Sequence, residues 1–599
     1  LSIALEVEPS PTLFTDSRRL LGANPYFGVA GAALETVAGI VVDAVLIEAW
    51  QERVAKARRG LGWPEGETFA LPHASGATLA FAAPFDQLLS ATDVNEWAWL
   101  ASAAEAGVDG GYERFHAPGY AAVWDEAQAM ATLRALAASE SNPDLLALEV
   151  AAREHRVALL IDDDDLTLGE GNGSRAFPLD PLPDPGRIRW SSLHDVPVAL
   201  VTGTNGKTTT VRLLAAMARA HGWSTGHSCT DGLFVDGRQI ASGDYSGPAG
   251  AREVLRQPDV QAAILETARG GILRRGLAVQ RAQAAVITNI SADHFGAYGV
   301  HGLDDLARVK LTVARVLDRS GLLVLNAEDP TLRAHGEACE CPIGWFALDD
   351  DNALLAEHRS GGGATCGVRD GRVVLSIGRD TQDLGEVAAM PLSVNGAARY
   401  NIANILAASL AATALGVAAT TIADVLTRFG STHADNPGRL QHWSLSGIDV
   451  WLDYAHNPDG LSGLLDVTGV AHRKGRFGLL LGQAGDRSDD DIGLLAKSAA
   501  RFAPTRIVLK DITGMLRGRM PGEVAAVLRS ALLEAGIGAD AMEYADDEEP
   551  GARALLAWAQ PGDTLVLPVH GKAARAQVSS LLDRMSAMRW QPQQELPLP

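Results

Sequence analysis

The sequence predicts an α/β protein in three parts: a central parallel-sheet domain built around a glycine-rich turn, a second α/β domain after residue 430, and a small α+β domain in front. Three observations carry this. From residue 196 onward, short apolar runs alternate with helical stretches, the mark of a parallel sheet with crossover helices. One run, Val198-Ala199-Leu200-Val201, breaks into Thr202-Gly203-Thr204-Asn205-Gly206-Lys207-Thr208-Thr209-Thr210 and then into helical periodicity. The later runs end in polar residues, as strands do when they present ligand groups at their carboxyl ends.

Residues 1–140, the candidate N-terminal domain, carry no motif that chemistry alone identifies. Residues 91–106 read as a helix, with Asp93 and Glu96 at capping-box spacing and Trp97, Leu100 and Ala101 on one face. Trp97 and Trp99 are read as core. Residues 142–161 read as a helix followed by the strand Val157-Ala158-Leu159-Leu160-Ile161. The four aspartates Asp162 to Asp165 then read as a solvated loop in preference to a metal cluster. The alternating glycines in Leu168-Gly169-Glu170-Gly171-Asn172-Gly173 are a weak signal alone, and four prolines between Phe177 and Gly186 read as a linker. Residues 141–195 are thus a remnant α/β segment with a linker.

The central domain, 196–429, opens with the glycine turn. Strand, Gly-rich loop, Lys, hydroxyl and helix is the layout of a phosphate cradle. Gly203 and Gly206 let backbone N–H groups turn inward, Lys207 reaches the outer phosphates, and Thr208 offers a hydroxyl to Mg²⁺. The helix that follows carries Val211, Leu214, Ala215 and Ala218 on one face and stops at His221-Gly222. Ala262-Ala263-Ile264-Leu265 ends in Glu266, Thr267 and Arg269. Ala284-Ala285-Val286-Ile287 ends in Thr288-Asn289, with Asp293-His294 beyond. Leu322-Leu323-Val324-Leu325 ends in Asn326-Ala327-Glu328-Asp329. A helix-like segment spans 303–316 and carries Lys310. The last domain, 430–599, has candidate strands at 449–452, 477–481, 506–509 and 564–567, each again followed by polar residues.

Composition narrows the class. With 51 Lys plus Arg against 73 Asp plus Glu, the formal charge of −22 disfavours a nucleic-acid partner. It suits a cationic substrate or product, and solubility explains it equally well. No apolar run of membrane-spanning length and no signal-peptide pattern is present, and the four cysteines form no CxxC pair. These features fit a reducing cytoplasm, no membrane partner and no zinc site.

The strand endings offer ligands for a metal–nucleotide complex, and the family resemblance of the glycine turn, given below, implies the reaction: joining a carboxylate to an amine. A carboxylate joins an amine at neutral pH only after activation, and ATP supplies this by phosphorylating it. Bringing a carboxylate to a γ-phosphate at about 4 Å costs on the order of 4 kcal/mol per like-charge pair at an effective dielectric near 20. Mg²⁺ with hard oxygen ligands offsets that repulsion. Thr208 and Glu266 would hold one ion, and His294 is placed to serve a second.

The compact Gly203-Thr204-Asn205-Gly206-Lys207-Thr208-Thr209, with Val201 where the general phosphate loop has glycine, resembles the nucleotide loop of the Mur ligase family. These enzymes form amide bonds with ATP. Ser291-Ala292-Asp293-His294 with Lys310 resembles the family pattern whose lysine is carbamylated into an oxygen ligand, a solvent-facing helix lysine being the alternative. Asn401 and Asn404 resemble the family's pair, whose second member contacts adenine. Pro437-Gly438-Arg439 resembles the arginine that reaches ATP, and Asp453-Tyr454-Ala455-His456-Asn457-Pro458 the signature whose aspartate binds ribose. Thr267, Arg269 and His456 remain as substrate candidates. The resemblance implies a P-loop Mur-ligase central domain, a Rossmann-like C-terminal domain, closure of the latter over the former, and a homo-oligomer.

Within that family, Gly243-Asp244-Tyr245-Ser246-Gly247-Pro248, residues 265–274 and Arg517-Gly518-Arg519 are similar to the Mur-like part of the cyanophycin synthetases. Leu20-Leu21-Gly22-Ala23-Asn24-Pro25-Tyr26 and Leu168-Gly169-Glu170-Gly171 faintly resemble their opening domain and its junction with an ATP-grasp domain. The stretch from Gly169 to Val196 has no room for that domain. The layout is similar to the shortened second type, which polymerises β-aspartyl-arginine. Addition of a single amino acid to another small acid, and a non-catalytic nucleotide-binding scaffold, are the competing expectations.

Overall fold

The computed structural model describes residues 13–108, 110, 119–162, 165–292, 295–472 and 475–598. Two compact units emerge, one comprising Leu1–Phe346, Glu357–Thr365 and Ala407–Ala418, the other Ala347–Ala356, Cys366–Leu406 and Ala419–Pro599.

The first unit begins with an antiparallel sheet of β1 (Phe14–Leu20), β2 (Gly31–Thr36), β3 (Thr68–His73) and β4 (Gly76–Ala82), in the order β1-β2-β4-β3. Helices α1 (Ala44–Leu61), α2 (Leu88–Glu105) and α3 (Glu126–Glu140) cover it. Trp97 and Trp99 are buried as expected, and the Trp99 indole donates to Leu13 O at 3.0 Å. The α2 start differs from the sequence reading. It lies at Leu88, placing Asp93 and Glu96 inside the helix, and the N–H groups of Leu89 and Ser90 are capped by the Glu140 carboxylate at 2.7 Å each. Burial and the Glu96 and Glu140 carboxylates push Asp93 up to about 7.

Next come α4 (Pro143–Glu154), capped by Asn142, and the antiparallel strands β5 (Leu159–Ile161), β6 (Asp165–Leu168) and β7 (Arg175–Pro178). The acidic run is not simply a solvated loop: Asp162 pairs with Arg256, and Asp165 opens β6, whereas Asp163 and Asp164 lie outside the described residues. The expected linker likewise contains the end of β7 and a 3-10 turn at Pro185–Arg187. The alternating glycines have a steric reason. A Cβ on Gly171 would stand 2.2 Å from Val260 O, and one on Gly173 the same distance from His194 O.

Glu170, between them, is 1 % exposed, with Oε2 unpartnered among the described residues. Burial, aided by Asp195, raises its pKa well above the carboxylate range, against weaker pulls from Arg281 and the Val196 N–H. A group that holds its proton more tightly in the fold stabilises fully below its unfolded pKa and loses that contribution as pH rises through the folded value. Glu170→Gln is therefore expected to melt with the wild type at pH 4 and above it at pH 8, by the equivalent of about 1–3 kcal/mol. Equal melting at both pH values would contradict this.

The central sheet contains β8 (Val198–Thr202), β9 (Thr225–Cys229), β10 (Gly232–Val235), β11 (Arg238–Ser242), β12 (Ala262–Glu266), β13 (Ala282–Ile287) and β14 (Leu317–Asn326), in the order β11-β10-β9-β12-β8-β13-β14. From β9 to β14 neighbouring strands are parallel. Strand β8 sits in the middle and is wholly buried, which is why it reads as an unbroken apolar run. Helices α5 (Lys207–His221), α6 (Pro248–Leu255), α7 (Arg269–Arg275) and α8 (Leu303–Lys310) are its crossovers or follow its strands. The 303–316 segment is not one helix: α8 ends at Lys310 and a 3-10 stretch, Leu311–Val316, completes it.

In the second unit, strands Ile448–Asp453, Thr564–Pro568, Phe477–Leu481, Arg506–Lys510 and Met542–Ala545 lie in that spatial order and are parallel, with Gln441–Leu445 antiparallel at the edge. All four sequence-predicted strands are among them. No helix among the described residues is long and apolar enough to cross a membrane.

Candidate active site

Register brings three strand ends level. Val201 of β8 pairs with Glu266 of β12, and Thr202 with Ile287 of β13. The chain then needs glycine twice. Gly203 has φ +141°, and a Cβ there would stand 1.9 Å from Thr288 Oγ1, while Gly206 at φ +86° turns the chain into α5. The loop is braced from β13: Asn205 N–H donates to Asn289 Oδ1 at 2.9 Å, Asn289 Nδ2 to Asn205 O at 3.1 Å, and Thr288 Oγ1 to Asn205 O at 2.6 Å. Thr204 N–H donates to Asn289 O at 3.0 Å, and its hydroxyl to Ser291 O at 3.1 Å. Helix α5 starts at Lys207, so the positive end of its dipole, with the buried Thr208 and Thr209, meets this loop.

Glu266 is 1 % exposed and accepts from Thr208 Oγ1 and Thr230 Oγ1, both at 2.8 Å. Lys207 Nζ lies 3.1 and 2.9 Å from the carbonyl oxygens of Gly203 and Thr204, and Lys310 Nζ lies 2.7 Å from the same Gly203 oxygen. Lys310 is 3 % exposed, so the solvent-facing alternative does not hold. The Lys207 ammonium, the Lys310 nitrogen, a helix N-terminus and a hydroxyl–carboxylate pair therefore meet at one turn. That set attracts an anion and offers hard oxygen ligands of the kind Mg²⁺ takes. His294 and Asp293 lie outside the described residues, among which no cluster of three metal-ligating side chains occurs.

The substrate candidates beside the loop behave differently. Thr267 is tied to its own strands, its N–H donating to Val201 O at 2.8 Å and its hydroxyl to Leu265 O at 3.3 Å. Arg269 is the first residue of α7.

Asn404, Arg439, Asp453 and His456 belong to the second unit. Asn404 sits on the helix Arg399–Ala414 and donates to Asn401 Oδ1 at 3.2 Å. The Arg439 guanidinium lies 4.1 Å over the Tyr454 ring. Asp453 accepts from the N–H groups of Leu440 at 2.6 Å and Ala455 at 2.8 Å. Burial raises its pKa, opposed by Arg439 and those N–H groups. The His456 ring lies 5.3 Å from that of Tyr454, and its carbonyl accepts from Gln483 at 2.9 Å. A cavity of about 470 Å³ in this unit is lined by Asn401, Asn436, Arg439 and Trp451.

Sequence reasoning missed Thr230, which holds Glu266 from the end of the neighbouring strand β9. Its one signal was a polar pair, Thr230-Asp231, directly after a strand. The bracing role of Asn289 was equally unreadable, because it depends on β13 lying next to β8.

The Mur ligase middle domain model matches residues 201–412, and the model described as Mur ligase, glutamate ligase domain matches 438–568. The chain belongs to the Mur ligase family. Its loop, Glu266 and Lys310 all lie within the first match. Among curated relatives, this Mur ligase chain is 35% identical over 373 residues to a cyanophycin synthetase of Synechocystis, covering 62% of this chain and 42% of that protein. It is 36% identical over 354 residues to the cyanophycin synthetase of Crocosphaera subtropica, covering 59% and 40%. It is also 30% identical over 351 residues to a UDP-N-acetylmuramoyl-L-alanyl-D-glutamate–2,6-diaminopimelate ligase of Xanthomonas campestris, covering 55% and 66%. The chain thus spans about two fifths of the cyanophycin synthetases it matches.

Proposed function

We propose that this chain is an ATP- and Mg²⁺-dependent amide ligase acting through an acyl phosphate, and that it joins β-aspartyl-arginine or a related aspartate-containing unit into a cyanophycin-like polymer. The observation that carries the ligase reading is the convergence of Lys207, Lys310 and the Thr208–Glu266 pair on one glycine turn. The likeness to cyanophycin synthetases supports the substrate.

In this reading Lys207 and the start of α5 hold the terminal phosphates of ATP, neutralising charge that grows as the γ-phosphoryl group leaves. The acid's carboxylate oxygen attacks that phosphorus and ADP departs. The amine then attacks the acyl carbon, loses a proton, and phosphate leaves. Thr208 and Glu266 would hold one Mg²⁺, with His294 and a carbamylated Lys310 serving a second; such ions screen the anionic reactants from each other. Thr230 keeps Glu266 oriented. In the second unit, Asn404 would contact the adenine, Arg439 the phosphates and Asp453 the ribose.

The test is mass spectrometry of products formed with ATP, Mg²⁺ and a panel of dipeptides and amino acids. The expected result is a ladder spaced by the dipeptide mass less water, with one ADP per bond. Phosphate release with a single addition product would move the assignment to a one-step ligase, the activity type named for the Xanthomonas relative. No ATP-dependent product with any pair would refute the ligase reading.

A further inference from the structure

The N-terminal sheet grips the segments that follow β12 and β13 at three places. First, Leu21 N–H donates to Arg275 O and Leu277 N–H to Ala23 O, both at 2.8 Å. A Cβ on Gly22 would stand 2.4 Å from Leu277 O, so only glycine lets these backbones close. Asn24, fully buried, holds the turn by donating to Gly22 O and Val29 O and accepting from the N–H groups of Tyr26 and Phe27. The segment from Leu20 to Tyr26 is therefore a docking turn.

Second, Arg18 of β1 is 4 % exposed, yet its Nε donates to Leu273 O of α7 at 2.8 Å and its guanidinium lies 4.7 Å over the Tyr298 ring. Its other nitrogens are held by Asp16 and Glu35 at 2.7 Å and the Tyr26 hydroxyl at 3.0 Å. Third, Ser75 Oγ lies 3.1 Å from both His73 Nδ1 and His301 Nε2. Tyr298 has φ +54°, a conformation costly for an aromatic residue and kept only where its surroundings impose it.

A sheet that merely covers an apolar surface has no use for a buried arginine, whose desolvation is offset only when its donors meet fixed acceptors. Arg18 meets acceptors on β1, β2 and α7. We propose that Arg18 is a positioning residue: through Leu273 and Tyr298 it holds α7 and the 296–301 turn in register with the glycine turn, presetting Arg269 at the head of α7 for the acid substrate. The substrate clause rests on the ligase reading. The clamp itself does not.

Hydrogen–deuterium exchange and steady-state kinetics of full-length Arg18→Met separate the two. Exchange at 269–275 should quicken about tenfold while that at 198–215 stays unchanged. The KM for the acid should rise about fivefold and kcat fall, with the KM for ATP unaltered, and Arg18→Lys should not restore either. Unchanged exchange in α7, or a fall in kcat alone in proportion to the folded fraction, would overturn the proposal. Should Arg18→Met not fold, Ser75→Ala removes one hydroxyl of the same clamp, and faster exchange at 296–301 becomes the deciding readout. If the wild type turns over no acid, the ligase reading falls while the exchange data still judge Arg18.

Discussion

Lys207→Ala is expected to reduce ATP turnover by a factor on the order of 10²–10³ or more, the loss that follows removal of one preorganised charge-stabilising group (about 3–4 kcal/mol). The fold should survive. Lys207 lies at the first position of α5, a half-buried place where alanine is a good helix former, and its ammonium bonds the loop carbonyls of Gly203 and Thr204 and no carboxylate among the described residues. Coupled ADP-release kinetics and a circular-dichroism melt read the two halves of this expectation separately. Turnover within tenfold of the wild type would show that the phosphates do not dock at this turn. A collapse of the melt alongside activity would show instead that the lysine is part of the scaffold.

Lys510→Met is expected to destabilise the second unit by about 3–5 kcal/mol, the cost of leaving a buried charge unpaired. The Lys510 and Glu548 side chains are 0 % and 1 % exposed and paired with each other. Lys510 Nζ also donates to Pro568 O at 2.7 Å, and Glu548 accepts the N–H groups of His570 at 2.7 Å and Gly571 at 2.6 Å. Burial works against the Glu548 charge, but Lys510 and His570 outweigh it and hold the carboxyl well below its usual range. A depressed carboxylate stabilises above its unfolded pKa and loses that contribution only as pH falls through the folded value, so the Glu548 charge is in force at neutral pH, while burial lowers the Lys510 pKa against the pull of Glu548. Burial and Lys510 also push His570 down to about 4, keeping it neutral there. Calorimetry of the full chain should show one transition lowered by roughly 6–20 °C, the conversion for a domain of this size. Because Glu548 caps two backbone N–H groups, the double change Lys510→Met with Glu548→Gln should recover only part of the loss. An unshifted transition would contradict the argument.

Much of the site was legible because its signals are local. The turn from Gly203 to Thr209 announces itself through glycines at fixed spacing between an apolar run and a helix, and the strand runs of both α/β domains appear where their lengths and buried faces put them. The misplaced start of α2 shows the limit. Asp93 and Glu96 have the spacing of a cap, but Glu140, fifty residues on, caps the helix in fact. Nothing near residue 88 encodes that.

Lys310 makes the same point at the site. Helical periodicity placed it on an amphipathic segment and left its direction open; only the packing of α8 buries it with its ammonium against Gly203. Thr230 and Asn289 joined the site because β9 and β13 flank β12 and β8, an order set by chain crossings over the whole sheet.

By itself the sequence determined the alternation of strands and helices, the glycine turn and the kinds of side chain at strand ends, because backbone sterics and periodic burial act over a few residues. Which of those side chains meet, and that Arg18 in the opening sheet reaches Leu273 of α7 and the Tyr298 ring, was decided by tertiary structure. Strand order and close backbone approach bring together groups hundreds of positions apart, and short-range preferences carry no record of that.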